Sequence, residues 1–267
     1  MLQALTNSIR DVGIEHDILT FSDEPLADVI SCELDPNIGL DTIQYLWKFK
    51  YLSKLRDLDY DIFVFIDSDH YFVRKPPIDF AELLQGDSWH AFLESPLNSP
   101  LTKRPDWWSV PNDKMVQLWR DFGVTQKILY NTNAGFFICK KSFIDHVCKV
   151  AELFDQHQKS RGYMLTEETT VAVLTHLFSQ DYSKHFHEHY YDYWASEWKG
   201  VFKDGLPTGE PWEFEEYMTF KKVAANPDIV HAMRCKDALA QLGSQIFEAT
   251  VDKRKFVPWE SLTTTSV

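Results

Sequence analysis

Apolar positions in the first part of the chain alternate between helical and strand-like spacing. Residues 2–12 and 41–57 carry apolar side chains three and four positions apart, which predicts amphipathic helices. Residues 16–21 (HDILTF) predict a strand between them. Residues 61–66 (DIFVFI) form a nearly continuous apolar run, which is typical of a central strand covered on both faces.

The same reasoning extends along the rest of the chain. Helices are predicted near 78–85, 112–122, 141–158 and 166–178, and strands near 89–94, 134–139 and 229–230. Gly and Pro spacing over 203–213 predicts a loop or lid, and the last dozen residues predict a loose tail. Strands that alternate with helices predict an α/β sheet with helices on both faces, which binds ligands beyond the carboxyl ends of its strands.

Length, charge and hydropathy narrow the class of protein. A chain of 267 residues suits one large domain, with two as the less favoured count. The net charge of −13 argues against broad nucleic-acid or anionic-membrane binding, because both need a basic surface. A small anionic ligand remains compatible, since a bound divalent cation can supply local positive charge. No run of 18 apolar residues is present, so no membrane span is expected.

Cysteine usage bears on the cellular compartment. Four cysteines are scattered without a C-x-x-C pair or zinc spacing: Cys32, Cys139, Cys148 and Cys235. Lone thiols fit a reducing compartment, although two disulfides are an alternative. The N-terminus lacks a signal-peptide pattern. The expected location is cytoplasmic, unless the chain is a catalytic fragment released from an anchor.

Two carboxylates follow the predicted strand 61–66 directly, in the sequence Asp67-Ser68-Asp69. Residues two apart in an extended segment point the same way, so both carboxylates would converge. They would repel each other unless a cation or protons intervened. Carboxylate oxygens suit Mg²⁺ or Mn²⁺, which are commonly held together with substrate phosphates. The alternative is an acidic turn that caps the next segment, but the preceding strand favours the metal.

Residues 60–69 (YDIFVFIDSD) resemble the signature of glycosyltransferases with the GT-A fold, in which an apolar strand delivers a D-x-D motif to a nucleotide-sugar and its metal. Residues 131–135 (NTNAG) are similar to the N-x-G strand whose amide contacts the donor sugar. Residues 166–169 (TEET) resemble the acidic pair at a helix start in the sugar pocket. His231 resembles the late histidine that completes the metal site in glycogenin-like retaining enzymes.

The resemblance implies a GT-A-like fold with a mixed, mostly parallel sheet and one catalytic domain over residues 1–267. Residues 1–140 would form the nucleotide and metal half, about 141–250 the acceptor half and 251–267 a tail. The implied site residues fall into three groups. They are Glu167, Glu168 and Asn133 for catalysis, Asp67, Asp69, Lys50, Asn131, Gly135 and Lys236 for binding the nucleotide-sugar, and Asp67, Asp69 and His231 for the metal.

Each segment of the resemblance has a structural alternative. Asn133 and Gly135 could form only a tight turn that enters a strand. Glu167 and Glu168 could serve only to favour the dipole of a helix start. As site residues, one of these glutamates could stabilise a developing oxocarbenium ion, act as nucleophile or serve as base.

The sequence departs from the family pattern in two places. Glycogenin-like enzymes usually follow the late histidine with a Gly-containing turn and a Lys that holds the diphosphate. Here residues 231–237 read HAMRCKD, without the Gly, and Arg234 or Lys236 would neutralise phosphate. The family fold also opens with a strand that lines the base pocket, whereas Met1 falls inside the first predicted helix. The expectation is a missing or shortened first strand.

Other polar and aromatic groups are weaker candidates. Lys48 and Lys50 could reach a diphosphate from the helix before the D-x-D strand, as could Arg74 and Lys75 beyond it, although solvated lysines are commoner. Alternate histidines could form a zinc site: His185, His187 and His189. The aromatic residues 190–194 (YYDYW) and Trp198 could offer a stacking platform to an acceptor sugar, or could equally pack in the core.

Other functions are also open. Nucleotidyl transfer would want a Gly-rich, basic phosphate loop near the N-terminus, and neither that loop nor a P-loop is present in the sequence. Glycoside hydrolysis uses paired carboxylates but needs no D-x-D metal site. The resemblance favours transfer of a hexose from a UDP-linked donor to a carbohydrate or other hydroxyl acceptor, with Mn²⁺ (or Mg²⁺), and with retention of configuration. A noncatalytic module that binds nucleotide-sugar or carbohydrate is the alternative.

Overall fold

The computed structural model describes residues 1–38, 46–77, 79–84, 86–100, 102, 105–179, 228–231 and 236–263, and the backbone of five short strands between 191 and 225. The described residues mix helices with strands, which confirms the α/β class. Their α-helices are α1 (Leu2–Asp11), α2 (Trp47–Leu55), α3 (Phe80–Leu84), α4 (Asn112–Phe122), α5 (Ile144–Ser160), α6 (Glu167–Phe178), α7 (Lys236–Ala249) and α8 (Trp259–Thr263).

The strands of the described residues are short. They are β1 (Leu19–Ser22), β2 (Ile30–Glu33), β3 (Ile62–Ile66), β4 (His70–Phe72), β5 (Trp89–Pro96), β6 (Asp106–Trp107), β7 (Val110–Pro111), β8 (Tyr130–Lys140), β9 (Tyr191–Asp192), β10 (Phe202–Lys203), β11 (Leu206–Pro207), β12 (Trp212–Glu216), β13 (Lys221–Ala225) and β14 (Ile229–His231).

The sheets are small, and antiparallel pairs predominate among the described strands. One three-stranded sheet has the order β3-β8-β5, and another has the order β4-β14-β9. β1 with β2 and β14 with β9 pair in parallel. Antiparallel pairs include β5–β8, β4–β14, β6–β7 and β12–β13. The mostly parallel sheet expected from the sequence is therefore not seen in this part of the chain. Several of these pairs are hairpins, whose closely spaced strands must run antiparallel.

The chain forms two compact units, each assembled from stretches that are distant in sequence. Unit 1 comprises Met1–Asp35, Ile66–Pro77 and His187–Val267. Unit 2 comprises Pro36–Phe65 and Ile78–Phe186. The D-x-D segment thus belongs to unit 1, whereas the strand that precedes it belongs almost wholly to unit 2.

Unit 2 has an aromatic core around the sheet β3-β8-β5. Phe137 of β8 stacks on Phe65 of β3 at 4.8 Å and on Trp89 of β5 at 4.8 Å between ring centroids. α6 is buried on nearly every side from Thr169 to His176, as expected for a helix with few charged positions. This packing places α6 against β5 and β8.

In unit 1, contacts with α1 and with Asp228 fix the short strands β4 and β14. α1 packs on α7 and β4, and Phe72 N donates to Ser8 Oγ of α1 at 3.0 Å. Next to the pair, Val73 N donates to Asp228 O at 2.8 Å, and Arg74 Nε donates to Asp228 Oδ1 at 2.8 Å. These contacts hold β4 and β14 in register.

The predicted tail is tied into unit 1 over the residues that are described. Val257 N donates to Ser31 O of β2 at 2.7 Å, and Trp259 of α8 packs its ring 5.6 Å from that of Phe21. The prediction of a loose tail over the last dozen residues is therefore wrong for 256–263, and residues 264–267 lie outside the described residues.

Candidate functional sites

A turn directly after β3 presents the first candidate site, in unit 1. His70 N donates to Asp67 O at 3.2 Å, which closes a four-residue turn over Asp67–His70. The D-x-D spacing predicts an extended segment, in which Asp67 and Asp69 would point the same way. Because the turn breaks that alternation, the two carboxylates are not related as they would be along a strand.

Sheet register brings a distant histidine to this turn. β14 pairs with β4 so that His231 lies opposite His70, and their rings stack at 4.1 Å between centroids with 12° between planes. His231 Nε2 lies 2.9 Å from Asp69 Oδ1. Asp69, His70 and His231 each offer a ligand atom, and these atoms all lie within 4.8 Å of one another. Asp67 is not a member of this group.

The charge of Asp69 is offset inside the fold. The carboxylate is 6% exposed, and Lys236 Nζ, at the first residue of α7, lies 2.8 Å from its Oδ2. Burial by itself would raise the pKa of Asp69. The contacts of His231 and Lys236 with the carboxylate, together with the electrostatic influence of His231 and His70, outweigh burial and hold that pKa well below its usual range. Asp69 is therefore an ionised carboxylate at neutral pH.

The donor set fits a divalent cation. One carboxylate and two imidazoles converge in a buried position, and His231 Nδ1 has no hydrogen-bond partner among the described residues. His70 Nδ1 lies 3.0 Å from Asp67 O and can donate to it. An imidazole that donates one ring N–H to a backbone carbonyl is oriented to bind an ion through its other nitrogen. The group could thus hold a metal ion.

The second candidate site lies in unit 2, at the start of α6. Glu167 Oε1 lies 3.3 Å from Lys48 Nζ of α2, and both side chains are largely buried. Lys48 Nζ also donates to Ala134 O at 3.1 Å and lies 5.3 Å from the ring centroid of Phe65. Lys48 therefore joins α6 to β8.

The carbonyl that Lys48 uses lies within an irregularity of β8. Ala91 pairs with Phe137 and Leu93 with Thr132, so β8 advances five residues while β5 advances two. Within this bulge Gly135 N donates to Asn133 Oδ1 at 2.7 Å. Asn133 thus uses its side-chain oxygen to stabilise the bulge, inside a strand rather than in a turn that enters one.

Asn131 lies in a separate polar cluster on β5 and β8. Its Oδ1 accepts from Ser95 N at 2.7 Å and from Ser95 Oγ at 2.9 Å. Its Nδ2 donates to Glu94 Oε2 at 3.0 Å. The amide is 5% exposed and is held by these bonds, so Glu94 is oriented by Asn131.

Glu168 has a strongly shifted pKa. Trp108 Nε1 donates to Glu168 Oε2 at 2.8 Å. Burial, followed by the negative charge of Glu94, raises the pKa of Glu168 to about 8, against the opposing effect of the Trp108 hydrogen bond. Glu168 is consequently protonated for the most part at neutral pH, and it can donate a hydrogen bond.

The residues proposed from the sequence fall into several groups. Asp69, His231 and Lys236 meet in unit 1. Glu167, Glu168 and Asn131 lie around α6 and β8 in unit 2, and Asn133 is bonded to Gly135. Asp67 contributes its carbonyl to the His70 turn, and Lys50 is half-buried on α2, where Lys48 makes the contact with Glu167. The predictions for His185, His187, His189, Tyr190, Trp194, Trp198 and Arg234 concern side chains outside the described residues.

Three site residues were missed from the sequence: His70, Glu94 and Trp108. A histidine directly after D-x-D was a usable signal for His70, because a turn there brings it beside Asp69. Glu94 ends the predicted strand 89–94, a position at which ligands commonly bind. Trp108 carried no signal, since two-residue strands show no alternation.

In comparison with known proteins, no family model and no curated protein matches the chain. No helix in the described part of the chain is long and apolar enough to cross a membrane. Cys32, Cys139 and Cys148 are free thiols.

Proposed function

We propose that this chain is a metal-dependent glycosyltransferase that moves a hexose from a UDP-linked donor to a hydroxyl acceptor. The observation that carries the proposal is the meeting of Asp69, His231 and Lys236 in unit 1. The resemblance implies one task for all three, the binding of a cation and a diphosphate. The pairing of β14 with β4 brings His231 to the turn that holds Asp69, although the two residues are far apart in the sequence.

The ligand set favours Mn²⁺ over Mg²⁺. Two of the three groups are imidazoles, and nitrogen ligands suit Mn²⁺ better than the harder Mg²⁺. When bound, the ion would offset the charge on the leaving diphosphate. Lys236, at present paired with Asp69, would supply a further positive charge to the phosphate oxygens.

The second candidate site, called the acidic site from here on, consists of Glu94, Glu167 and Glu168 in unit 2. It would bind the sugars. Glu168, protonated at neutral pH, would donate a hydrogen bond to a sugar hydroxyl, and Glu94 would accept one. Asn131 would orient Glu94, and Lys48 would hold Glu167. Asn133 would stabilise the β8 bulge and would not contact the donor, because its side-chain oxygen already accepts from Gly135 N.

The GT-A fold is part of the same proposal. A strand that leads into D-x-D, followed by a late histidine at the same turn, supports it. β3 is only half-buried and lies at the edge of its described sheet, so the central strand covered on both faces that the sequence predicted is not what these residues form. The small, mostly antiparallel sheets of the described residues are a departure from the expected pattern.

The proposal is tested by measuring UDP release from UDP-glucose, UDP-galactose and UDP-N-acetylglucosamine, with and without Mn²⁺. We expect release that requires Mn²⁺ and that falls by about 100-fold or more in Asp69→Asn, because the ion loses its only carboxylate in the buried group. Asp61→Asn is the matched control, since Asp61 is exposed before the same strand. Release that is unchanged in Asp69→Asn would reject the proposal. Metal-dependent UDP binding without turnover of any donor would favour the noncatalytic module.

A further inference from the structure

A two-residue turn places Trp108 beside the acidic site of unit 2. β6 pairs with β7 so that Trp107 lies opposite Val110, which leaves Trp108 and Ser109 to form the whole turn. Their φ values are 53° and 59°. Two successive positive φ angles are typical of a type I′ turn, which prefers Asn-Gly because larger side chains are disfavoured there. A tryptophan at this position therefore costs conformational energy.

The hairpin is anchored by its other residues. Trp107 is buried and meets Trp119 edge to face at 5.9 Å between ring centroids. Asn112 N donates to Pro105 O at 2.9 Å and closes the base of the hairpin. Trp108 itself remains 48% exposed. Because core packing is supplied by Trp107, packing does not explain why a strained turn carries a second tryptophan.

One hydrogen bond fixes the orientation of the exposed ring. Trp108 Nε1 donates to Glu168 Oε2 at 2.8 Å, and Glu168 lies within the electrostatic influence of Glu94. An aromatic face next to carboxyl and amide groups is suited to a saccharide. Its apolar C–H face packs on the ring, while its hydroxyls both donate to and accept from the polar groups.

The charge of the site selects among saccharides. Three carboxyl groups, those of Glu94, Glu167 and Glu168, surround the start of α6, and Lys48 is paired with one of them. With Glu168 protonated, Glu94, Glu167 and Lys48 leave this group with a net negative charge, which repels an anionic ligand. A neutral sugar has no such penalty.

We propose that Trp108 is the platform for a neutral saccharide in unit 2, and that its indole N–H holds Glu168 against the hydroxyls of that saccharide. This inference rests on the proposed function and adds the acceptor class to it: the acceptor is a neutral saccharide rather than a peptide hydroxyl or an acidic sugar. Trp108 is a specificity-determining residue in this account.

The test is saturation-transfer NMR with glucose, galactose, maltose and lactose, and with glucuronate as the anionic counterpart, without metal or nucleotide. We expect the wild type to bind neutral sugars and not glucuronate. Trp108→Asn should lose about tenfold or more in affinity, since aromatic stacking is removed. Its melting temperature should be equal or higher, because Asn tolerates positive φ better than Trp. Trp108→Phe should keep weaker binding.

Trp47→Phe is the matched control, because Trp47 is another exposed tryptophan of unit 2, and it should bind like the wild type. The inference is overturned if the wild type binds none of the neutral sugars, if Trp108→Asn or Trp108→Ala binds them as well as the wild type, or if glucuronate binds equally. Asp69→Asn should keep saccharide binding, so a failure of the transferase proposal is distinguished from a failure of this one.

Discussion

Asp69 keeps its negative charge in a position where burial opposes it. The carboxylate is 6% exposed, and an isolated buried charge is strongly unfavourable. His231 and Lys236 offset that charge at 2.9 and 2.8 Å. A cation at the same place would take over part of this task, so the site can exchange one positive partner for another without leaving Asp69 uncompensated.

The first prediction concerns the choice between Asp67 and His70 as ligands. His70→Phe keeps a ring to stack on His231 but removes both nitrogens, so we expect Mn²⁺ affinity to fall by about tenfold or more. Asp67→Asn should change it less, because the backbone carbonyl of Asp67 remains in place. Electron paramagnetic resonance of free Mn²⁺ measures the affinity of each variant. His16→Phe is the control, because His16 is an exposed histidine outside the group. A larger loss in Asp67→Asn than in His70→Phe would contradict the ligand set.

Sequence reasoning located Asp69, His231 and Lys236 but not the way they meet. The spacing of D-x-D suggested two carboxylates on one face, and the turn at Asp67–His70 replaced that arrangement. The acidic turn considered as the alternative is the backbone conformation observed, and Asp and Ser are common turn residues. The pairing of His70 with His231 is hidden in the sequence, because strands of three residues carry too little alternation to fix register.

At the scale of elements, helices were predicted better than strands. α4 spans Asn112–Phe122 as the sequence predicted, since its apolar positions repeat with the period of a helix and Gly123 ends it at φ 112°. A helix was predicted over 41–57. Residues 41–45 lie outside the described residues, and α2 begins at Trp47. α7 and the hairpin β6–β7 were missed. The start of α7 falls in the segment 231–237, which was interpreted only as a phosphate-binding turn. The turn of the β6–β7 hairpin lacks the Asn-Gly pair that usually signals such a turn.

The bulge in β8 shows a different limit of sequence reasoning. Asn133 and Gly135 were taken either as a turn or as donor contacts. They lie inside an 11-residue strand, where Asn133 Oδ1 accepts from Gly135 N. A bulge needs a partner strand to define it, so it is invisible in one segment alone.

The second prediction concerns the first turn of α6. A carboxylate there would normally be favoured by the helix dipole, but burial and Glu94 raise the pKa of Glu168 to about 8, from a usual value of 4.5. The folded protein therefore holds this proton up to about pH 8, whereas the unfolded chain loses it near pH 4.5. The stabilising contribution is complete below pH 4.5 and is lost as pH rises through 8.

Glu168→Gln removes this titration, so its stability relative to the wild type should increase between pH 5 and pH 9 by about 2 kcal/mol, a value reduced for partial exposure. Urea unfolding at pH 5, 7 and 9 measures the difference. Glu82→Gln, at an exposed position of unit 2, should show no such trend. A constant difference between wild type and Glu168→Gln across this range would mean that Glu168 titrates normally.

At the scale of the whole molecule, the two candidate sites lie in different compact units. The residues of the metal group come from stretches 66–77 and 187–267 of unit 1, and the acidic site comes from unit 2. The sequence suggested halves that follow one another along the chain, at about residue 140. Units assembled from separate stretches cannot be read from one sequence, because local spacing carries no information on which distant segments pack together.

The measurement that tests the central claim most directly is calorimetric titration of UDP, with and without Mn²⁺, into the wild type, Asp69→Asn and the control Asp61→Asn. The account predicts binding that requires Mn²⁺ in the wild type and in Asp61→Asn, and that is lost in Asp69→Asn, since the buried carboxylate is needed to hold the ion beside the diphosphate. UDP binding by the wild type that is indifferent to Mn²⁺, or binding by Asp69→Asn equal to that of the wild type, would contradict it.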